Sequence, residues 1–372
     1  MTTLKVLAGP RAFSHIRAHG LNPSDVQSVI CASGAAKTLT TIGLDKVILG
    51  QWLKNIDHSV DLLGTSAGAF KLAAACRTDT LGRLDQFANI YSTQTYADKV
   101  NEPDVRDIIS WAPQELIDAV MADGGDEEIL SHPNFRLHIG TVRSFNLLAS
   151  EIVKHQKQAI AKAALLSLID NQSLRGIAER VVFSDPRSSK ALRPIDNYPT
   201  HNVTLDKKNL GPALNASGAI PVMMHGIEIE TEDGIHLYRD GGMLDYHPIP
   251  SQLWPSNEGI VLYPHFYDYL KWRWFDKFYP WRKVSASKLD NVVIFAPSDD
   301  YVKSLPYGRI PSRNDFKRFI KNEPKRLEVW QTAIQRSEGL GEAFLELVQS
   351  GRIADGLLHG RLVCPHLCRH GA

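Results

Sequence analysis

The chain has 372 residues, of which 43% are hydrophobic, enough to fill a substantial core in one large domain or two ordinary ones. Its 42 lysine and arginine residues are balanced by 41 aspartate and glutamate residues, so no bulk positive field favours nucleic acid as a partner. The four cysteines are too few and too scattered for a disulfide framework, and no apolar run is long enough to span a membrane. Together these features predict a protein of the cytoplasm.

The first twenty residues contain two arginines and no acidic residue, a composition that transit peptides share. They lack the uninterrupted apolar stretch of a secretory signal. The spacing of Ala12, Ile16 and Ala18, with Gly20 as a stop, favours a first helix of the folded protein.

Short apolar runs alternate with helical stretches along the rest of the chain. Strands are predicted at residues 29–32, 60–63, 136–142, 235–238, 259–262 and 292–296. Helices are predicted at residues 44–53, 69–76, 114–121, 151–180 and 328–348. The alternation predicts an α/β fold, a three-layer sandwich in which a mainly parallel central sheet has helices on both faces.

No internal repeat and no low-complexity linker divides the sequence. We therefore predict a single domain over residues 1–372. Within it, residues 151–180 are expected to form a helical insertion beside the sheet, and residues 263–372 an aromatic segment followed by helices.

Residues 64–68, Gly-Thr-Ser-Ala-Gly, match the pattern G-x-S-x-G between a predicted strand and a predicted helix. Such a turn forces its serine into a strained backbone conformation, and side chains at Gly64 and Gly68 would collide with neighbouring elements. Ser66 Oγ is then held at the carboxyl end of the sheet, where open α/β sheets bind ligands. The alternative is a purely structural turn in which the serine caps the helix.

A nucleophilic serine needs donors for the negative charge that develops on the attacked carbonyl oxygen. The small-residue loop at 33–38, Ser-Gly-Ala-Ala-Lys-Thr, follows the first predicted strand of this region, and a helix follows the loop. Gly34 and Ala35 are the predicted donors, because small residues let backbone N–H groups point at an anion. Lys37 either adds positive charge to this loop or faces solvent.

The sequence offers two Asp-Gly-Gly segments as sources of a general base. Asp123 follows a predicted helix and precedes an acidic run, which is typical of a helix terminus with a glycine turn. Asp240 follows the predicted strand at 235–238, and Gly241 and Gly242 permit close approach of other groups. We therefore predict Asp240 as the partner of Ser66.

The loop at 33–38, the elbow at 64–68 and Asp240-Gly-Gly, in this order, resemble the patatin-like phospholipases. The pattern of that family is G-G-G-x-[KR]-G, then G-x-S-x-G, then D-G-[GA]. Residues 213–221 are also similar to the family's small-residue helix, which ends in Ile-Pro. The resemblance extends over residues 29–248, and the catalytic motifs that it implies lie within 29–250.

The loop at 33–38, called the oxyanion loop from here on, departs from the family pattern. Ser33, Ala35 and Thr38 stand at positions that the family usually fills with glycine. An alanine donates its N–H as a glycine does only where the loop does not require a positive φ. This departure bears on the rate of the reaction more than on the identity of the site.

The resemblance implies a Ser-Asp dyad without cofactor or metal. Asp240 would take the proton of Ser66 directly, and Ser66 would attack an ester carbonyl to give an acyl-enzyme that water hydrolyses. The implied substrate is a phospholipid or another long-chain acyl ester.

Two alternatives stay open at the level of sequence. A histidine could act as the base, and His225, His236 and His247 lie closest to Asp240 along the chain. A catalytically weak or inactive protein could keep the fold and bind a lipid or a protein partner.

The segment from Tyr263 to Lys283 interleaves aromatic with basic residues. Such a composition is typical of the membrane–water interface, which predicts peripheral membrane contact through this segment, with Trp272 and Trp274 as the residues whose replacement tests it. The alternative is that both tryptophans pack in the core over the sheet.

The chain ends in a tail with Cys364, His366, Cys368 and His370 at every second position. Zinc sites usually draw their ligands from two separated pairs. We therefore predict a frayed terminus rather than a structural metal site.

Overall fold

A computed structural model describes residues 3–95, 105–170, 173–188, 196, 198–249, 259–279, 281–354 and 357–359. The strands in chain order are β1 (Leu4–Ala8), β2 (Val26–Cys31), β3 (Val60–Thr65), β4 (Phe135–Ser144), β5 (Ala178–Ser184), β6 (Thr200–Thr204), β7 (Ile227–Thr231), β8 (Gly234–Asp240), β9 (Ile260–Pro264), β10 (Val292–Pro297) and β11 (Leu357–His359).

The helices in chain order are α1 (Pro10–His19), α2 (Ile42–Val47), α3 (Ala67–Ala75), α4 (Thr80–Thr93), α5 (Val105–Met121), α6 (Gly125–Ser131), α7 (Asn146–Ala149), α8 (Val153–Leu166), α9 (Leu210–Gly218), α10 (Asp299–Ser304), α11 (Asp315–Arg318) and α12 (Glu323–Gln349). The longest, α12, packs against α2. The predicted α/β class is confirmed.

One mixed sheet runs through the molecule in the order β11-β1-β10-β9-β2-β3-β4-β5-β6. The five strands from β10 to β4 in this order are parallel to one another. Antiparallel pairing occurs between β1 and β10, between β4 and β5, and where the hairpin β7–β8 joins the end of β4. The sheet is therefore mixed and mostly parallel, and the carboxyl ends of β2 and β3 meet at one edge.

Alternate residues of the central strands face different layers, as the pleat requires. In β2, Val29 and Cys31 join a core cluster that includes residues of α2, α3, α4 and α12. Ile30 and Ala32 join a second cluster on the other face, together with Phe266 and other residues of the segment between β9 and β10. Beside it, a third cluster packs residues of α7 and α8 against β4. Helices therefore cover one face, whereas the aromatic segment shares the other face with α7 and α8.

The helical stretch predicted at 151–180 is shorter in the structure. The helix α8 ends at Leu166, and Ala178 already begins β5. Gly176 separates the two elements, and the β-branched Val181 and Val182 are buried within the sheet. The predicted end of the helix at residue 180 was wrong because β5 is buried on both faces. Its apolar residues therefore continue the apolar pattern of the helix without an alternation that would mark a strand.

No helix in the described part of the chain combines the length and the apolar character needed to cross a bilayer. Cys31 and Cys76 are buried and carry free thiols. The tail residues Cys364, His366, Cys368 and His370 lie outside the described residues.

Candidate active site

Ser66 occupies the turn between β3 and α3, with φ 53° and ψ −133°. A side chain in this region of conformational space costs about 1–3 kcal/mol, so other contacts must hold the turn in place. The N–H of Ser66 donates to Ser217 Oγ at 2.9 Å, and Ser217 Oγ donates to the carbonyl of Gly140 at 2.7 Å. The helix α9 and the strand β4 therefore fix the strained residue. The sequence analysis did not identify Ser217, since a serine within a small-residue helix has no distinctive pattern.

Steric crowding explains why glycine stands at positions 64 and 68 of the elbow. A Cβ atom on Gly68 would lie 2.4 Å from the carbonyl oxygen of Cys31, and one on Gly64 would lie 2.6 Å from the backbone of Ala69. Both distances are shorter than any real carbon contact. The absence of side chains at these positions lets α3 pack directly against β2 and β3.

Asp240 ends β8 and contacts the serine. Ser66 Oγ donates to Asp240 Oδ2 at 2.8 Å, and the N–H of Gly242 donates to Asp240 Oδ1 at 2.7 Å. Ser66 is 8% exposed and Asp240 is 7% exposed. The predicted pair is thus brought together at a site that is almost fully buried. Gly241, the residue after Asp240, lies against the backbone of Gly140.

The strand β4 holds both halves of the pair. In the sheet register, Gly140 pairs with Thr65, the residue before Ser66. The next residue, Thr141, pairs with Asp240. Two residues that are 174 positions apart in the sequence therefore meet across adjacent positions of one strand.

The pKa of Asp240 is raised to about 6 because the side chain is buried. The hydrogen bonds from Gly242 and Ser66 and the positive charges of Arg313 and Lys277 partly oppose this rise. At neutral pH most of the carboxylate is still ionised. A carboxylate whose pKa is near the working pH, hydrogen-bonded to a hydroxyl, has the properties of a general base.

The other predicted candidates for the base lie elsewhere. Asp123 sits in the turn between α5 and α6, where its exposed side chain pairs with Arg83. His247 is fully buried, and its Nδ1 accepts from the backbone N–H of Lys271. The other two histidines considered as a base pair with acidic residues, His225 with Glu151 and His236 with Asp233. Burial lowers the pKa of His247 well below its ordinary value, which keeps the ring neutral.

The oxyanion loop does require a positive φ at a position without glycine. Ala35 has φ 48°, which costs an alanine on the order of 1 kcal/mol. The loop is anchored by Ser33, whose N–H donates to the carbonyl of Tyr246 at 3.0 Å and whose hydroxyl donates to Thr65 at 2.9 Å. These two hydrogen bonds hold the loop in place although position 35 carries an alanine.

Three backbone donors are available near Ser66. The N–H groups of Gly34 and Ala35 donate to no other residue in the described part of the chain, and both residues line the same cavity as Ser66. Ala67, the first residue of α3, adds a third N–H, because the first N–H groups of a helix have no acceptor within it. Ala67 was not among the sequence candidates.

Lys37 does not face bulk solvent. Its Nζ donates to the hydroxyl of Tyr246 at 3.2 Å and lies 5.5 Å from the ring centroid of Phe266. Burial lowers the pKa of Lys37, and the same residue lines the cavity beside Ser66.

The cavity in front of Ser66 has a volume of about 520 Å³, the size of a small-molecule site. One part of its wall is apolar and is formed by Ile160, Ile220, Pro221, Val222, Met223 and Met243. Next to the lining residue Tyr246 in the sequence, Asp245 belongs to a buried ion-pair group in which Arg180 bridges Asp245 at 2.6 Å and Asp196 at 2.7 Å.

Comparison with known proteins adds no assignment to this geometry. The chain matches no protein-family model. No curated protein shows significant similarity to it. The arrangement of Ser66, Asp240 and the backbone donors therefore carries the functional argument.

Proposed function

We propose that the protein is a serine lipid acyl hydrolase of patatin-like type, which cleaves the carboxylic esters of phospholipids or other long-chain acyl lipids. The observation that carries this proposal is the 2.8 Å hydrogen bond from Ser66 Oγ to Asp240 Oδ2 at a strained strand-to-helix turn. A serine that only capped a helix would need neither the strain nor a buried carboxylate partner.

The reaction follows from the positions of these groups. As Ser66 Oγ attacks the ester carbonyl carbon, its proton passes to Asp240 Oδ2, and the N–H groups of Gly34, Ala35 and Ala67 stabilise the oxyanion. The ester bond then breaks, the alcohol leaves with the proton from Asp240, and an acyl-Ser66 remains. Water attacks the acyl group in the same way, with Asp240 accepting its proton. The bond from the acyl carbon to Ser66 Oγ then breaks, Asp240 returns the proton to Oγ, and the carboxylic acid leaves.

The apolar wall of the cavity supports an acyl chain as part of the substrate. Ile160 comes from α8, and Ile220 to Met223 follow α9. These side chains bury hydrocarbon at roughly 25 cal/mol per Å². The same wall offers few polar partners for a sugar or a peptide.

Peripheral membrane contact through the segment from Tyr263 to Lys283 is part of this proposal, with Phe278 and Trp281 as its most exposed rings. Trp272 is half-buried, with Nε1 3.4 Å from Asp245 Oδ1, and Trp274 lines the cavity. Phe278 and Trp281 are each 61% exposed. The aromatic segment therefore presents its later rings outward.

The exposed end of α8 lies beside these rings. Tyr279 contacts this end, because its hydroxyl accepts from Ser167 Oγ and donates to the carbonyl of Ala164, both at 2.9 Å. The apolar rim is defined here as the exposed residues Leu165, Leu168, Ile169, Phe278 and Trp281. The rim adjoins the elements that line the cavity, so an acyl chain could pass from a lipid surface to Ser66.

A second candidate function is lipid or protein binding without catalysis. The left-handed Ala35 and the non-glycine residues Ser33 and Thr38 favour it, because they restrict the loop that must bind the oxyanion. This candidate predicts an elbow serine without enhanced reactivity.

A fluorophosphonate probe distinguishes the two candidates. For the hydrolase, we expect one label per chain, mapped to the peptide that contains Ser66 and absent from the Ser66→Ala variant. Asp123→Asn serves as a matched control and should label like the wild type. Folded protein that takes no label, or takes it at another residue, would exclude the hydrolase.

A further inference from the structure

The cavity beside Ser66 carries an excess of positive charge. Four cations line it: Lys37 and Arg313, which are half-buried, and Lys277 and Lys157, which are exposed. Among the described residues of the lining, Asp240 is the only carboxylate. Its charge acts on Lys277 and Arg313, but a single carboxylate does not balance the positive charges of the lining.

Two of these cations have no acidic partner in the described ranges, although their neighbours in the sequence do. Lys277 Nζ lies 4.2 Å from the ring centroid of Trp274, whereas Asp276 pairs with Arg282 at 3.2 Å. Arg313 makes no described hydrogen bond or ion pair with its side chain. The nearby Arg309, in contrast, pairs with Asp315 at 2.6 Å.

The charges of the cluster act on one another. Burial and the charges of Arg313 and Lys37 together lower the pKa of Lys277 to about 8, against the opposing charge of Asp240. Lys37 likewise has no acidic partner among the described residues, and its Nζ donates to the hydroxyl of Tyr246. Three partly desolvated cations that repel one another are costly, and a bound anion would remove most of that cost.

We propose that Lys37, Lys277 and Arg313 form a phosphate-binding subsite beside Ser66, and that the substrate is an acyl ester with a phosphomonoester on the alcohol side of the scissile bond. A phosphomonoester carries about −1.5 to −2 charges at neutral pH and three acceptor oxygens, which suits three cations better than a carboxylate does. The cleavage of the ester rests on the function proposed above, whereas the binding of the phosphate does not.

The origin of the lining residues assigns the two ends of the substrate. Most of the apolar residues come from α8 and from the turn after α9, whereas Met243 follows β8. The cations come from three other segments, which are the oxyanion loop, the aromatic segment and the loop before α11. The acyl chain is therefore placed along the first group and the phosphate along the second.

A matched pair of soluble esters tests the preference. We compare kcat/KM for the octanoyl ester of glycerol 3-phosphate with that for octanoylglycerol, which lacks the phosphate. The wild type is expected to prefer the phosphate ester. Lys277→Gln and Arg313→Gln should each reduce the ratio of the two values about tenfold or more, the effect of losing a hydrogen bond to a charged group.

Lys283→Gln and Lys317→Gln are the controls. Both lysines are exposed, lie outside the cavity lining and share a chain segment with the residues that they match. Neither control should change the ratio. An unchanged ratio in Lys277→Gln and Arg313→Gln would overturn the subsite. If Lys277→Gln does not fold, Lys277→Met keeps the contact with Trp274 and takes its place.

Calorimetric titration with octyl phosphate separates the two proposals, because this ligand has no carboxylic ester to cleave. We expect binding to the wild type and to Ser66→Ala, a loss of affinity of about tenfold in Lys277→Gln and Arg313→Gln, and no loss in the controls. Binding by a protein that fails the fluorophosphonate test would leave the subsite and remove the hydrolase. Ester turnover without binding of octyl phosphate would leave the hydrolase and remove the subsite. Equal affinity for octanoate and octyl phosphate would overturn the assignment of the subsite to phosphate.

Discussion

At the scale of single residues, the site depends on two adjacent positions of β4. Gly140 and Thr141 pair with the residue before Ser66 and with Asp240. Gly140 also accepts the hydrogen bond of Ser217, which in turn holds the N–H of Ser66. Ser66, Asp240 and the hydrogen bonds of Ser217 are thus all held by the same two residues of β4. This arrangement favours a constant distance between Ser66 Oγ and the carboxylate of Asp240.

Replacing Asp240 by asparagine should remove the general base without disturbing the fold. We expect Asp240→Asn to lower kcat on a soluble ester by about a hundredfold or more, the range for loss of a positioned base. Asp123→Asn, which alters an exposed carboxylate, should have little effect. A loss in His247→Ala as large as that in Ser66→Ala would instead indicate a triad.

The pKa of Asp240 also makes a prediction about stability. Its value of about 6 lies above the 3.8 of an unperturbed aspartate, so the folded state binds the proton more tightly than the unfolded state does. The ionised carboxylate therefore costs roughly 3 kcal/mol of stability above pH 6, a cost that disappears as the pH falls toward 4. We expect Asp240→Asn to melt at a higher temperature than the wild type at pH 8 and at nearly the same temperature near pH 4. A lower melting temperature at pH 8 would contradict this.

Activity should follow the ionisation of the same carboxyl group. On a soluble neutral ester, kcat/KM of the wild type is expected to rise with pH through about 6 and then to level off, because only the ionised Asp240 accepts a proton. A rate that falls over this range would show that the protonated form is the active one.

At the scale of elements, the elbow works because α3 lies against β2 and β3 with almost no separation. Gly68→Ala should therefore push α3 away from the carbonyl of Cys31 and lower the free energy of unfolding by about 1–3 kcal/mol, measured by chemical denaturation. Gly339→Ala in α12 is the matched control, because a Cβ there meets no atom within 4 Å. It should stabilise the protein by up to about 1 kcal/mol. Equal effects of the two substitutions would contradict the close packing of α3.

Sequence patterns identified the elements with strong local signals and missed those defined by partners. The strands β2, β3, β4, β8, β9 and β10 and the helices α1, α2, α3, α5 and α12 confirm predicted elements. The strands β1, β5, β6, β7 and β11 were not predicted. β6 is a half-exposed edge strand and β7 belongs to a hairpin, so each owes its form to the strand beside it. β1 is short and gains its hydrogen bonds from β10, far along the chain.

At the scale of the whole molecule, the cavity combines segments whose proximity no local pattern reveals. Ser66 and Asp240 were predictable because each lies in a motif with its own turn chemistry. Lys277 and Arg313 follow the region of family resemblance and carry no motif, and only the tertiary fold brings them to Ser66. Ala35 shows a further limit, because its positive φ is set by the packing of the loop.

Delivery of the substrate should depend on the apolar rim. We expect Phe278→Ser and Trp281→Ser to lower activity on phospholipid vesicles several-fold more than activity on a soluble short-chain ester, because their exposed rings settle at the depth of the lipid head groups. Ile320→Ser removes an even more exposed apolar residue outside the rim and serves as the control. Equal losses on both substrates would contradict a docking role.

Trapping the acyl-enzyme tests the central claim most directly. The protein is mixed with a soluble chromogenic octanoyl ester, quenched within the first turnover and digested, and the acylated peptide is identified by mass spectrometry. The account predicts an octanoyl group on Ser66 in the wild type, none in Ser66→Ala, and formation slowed about a hundredfold or more in Asp240→Asn. An acyl group on any other residue, or on Ser66 at an unchanged rate in Asp240→Asn, would contradict it.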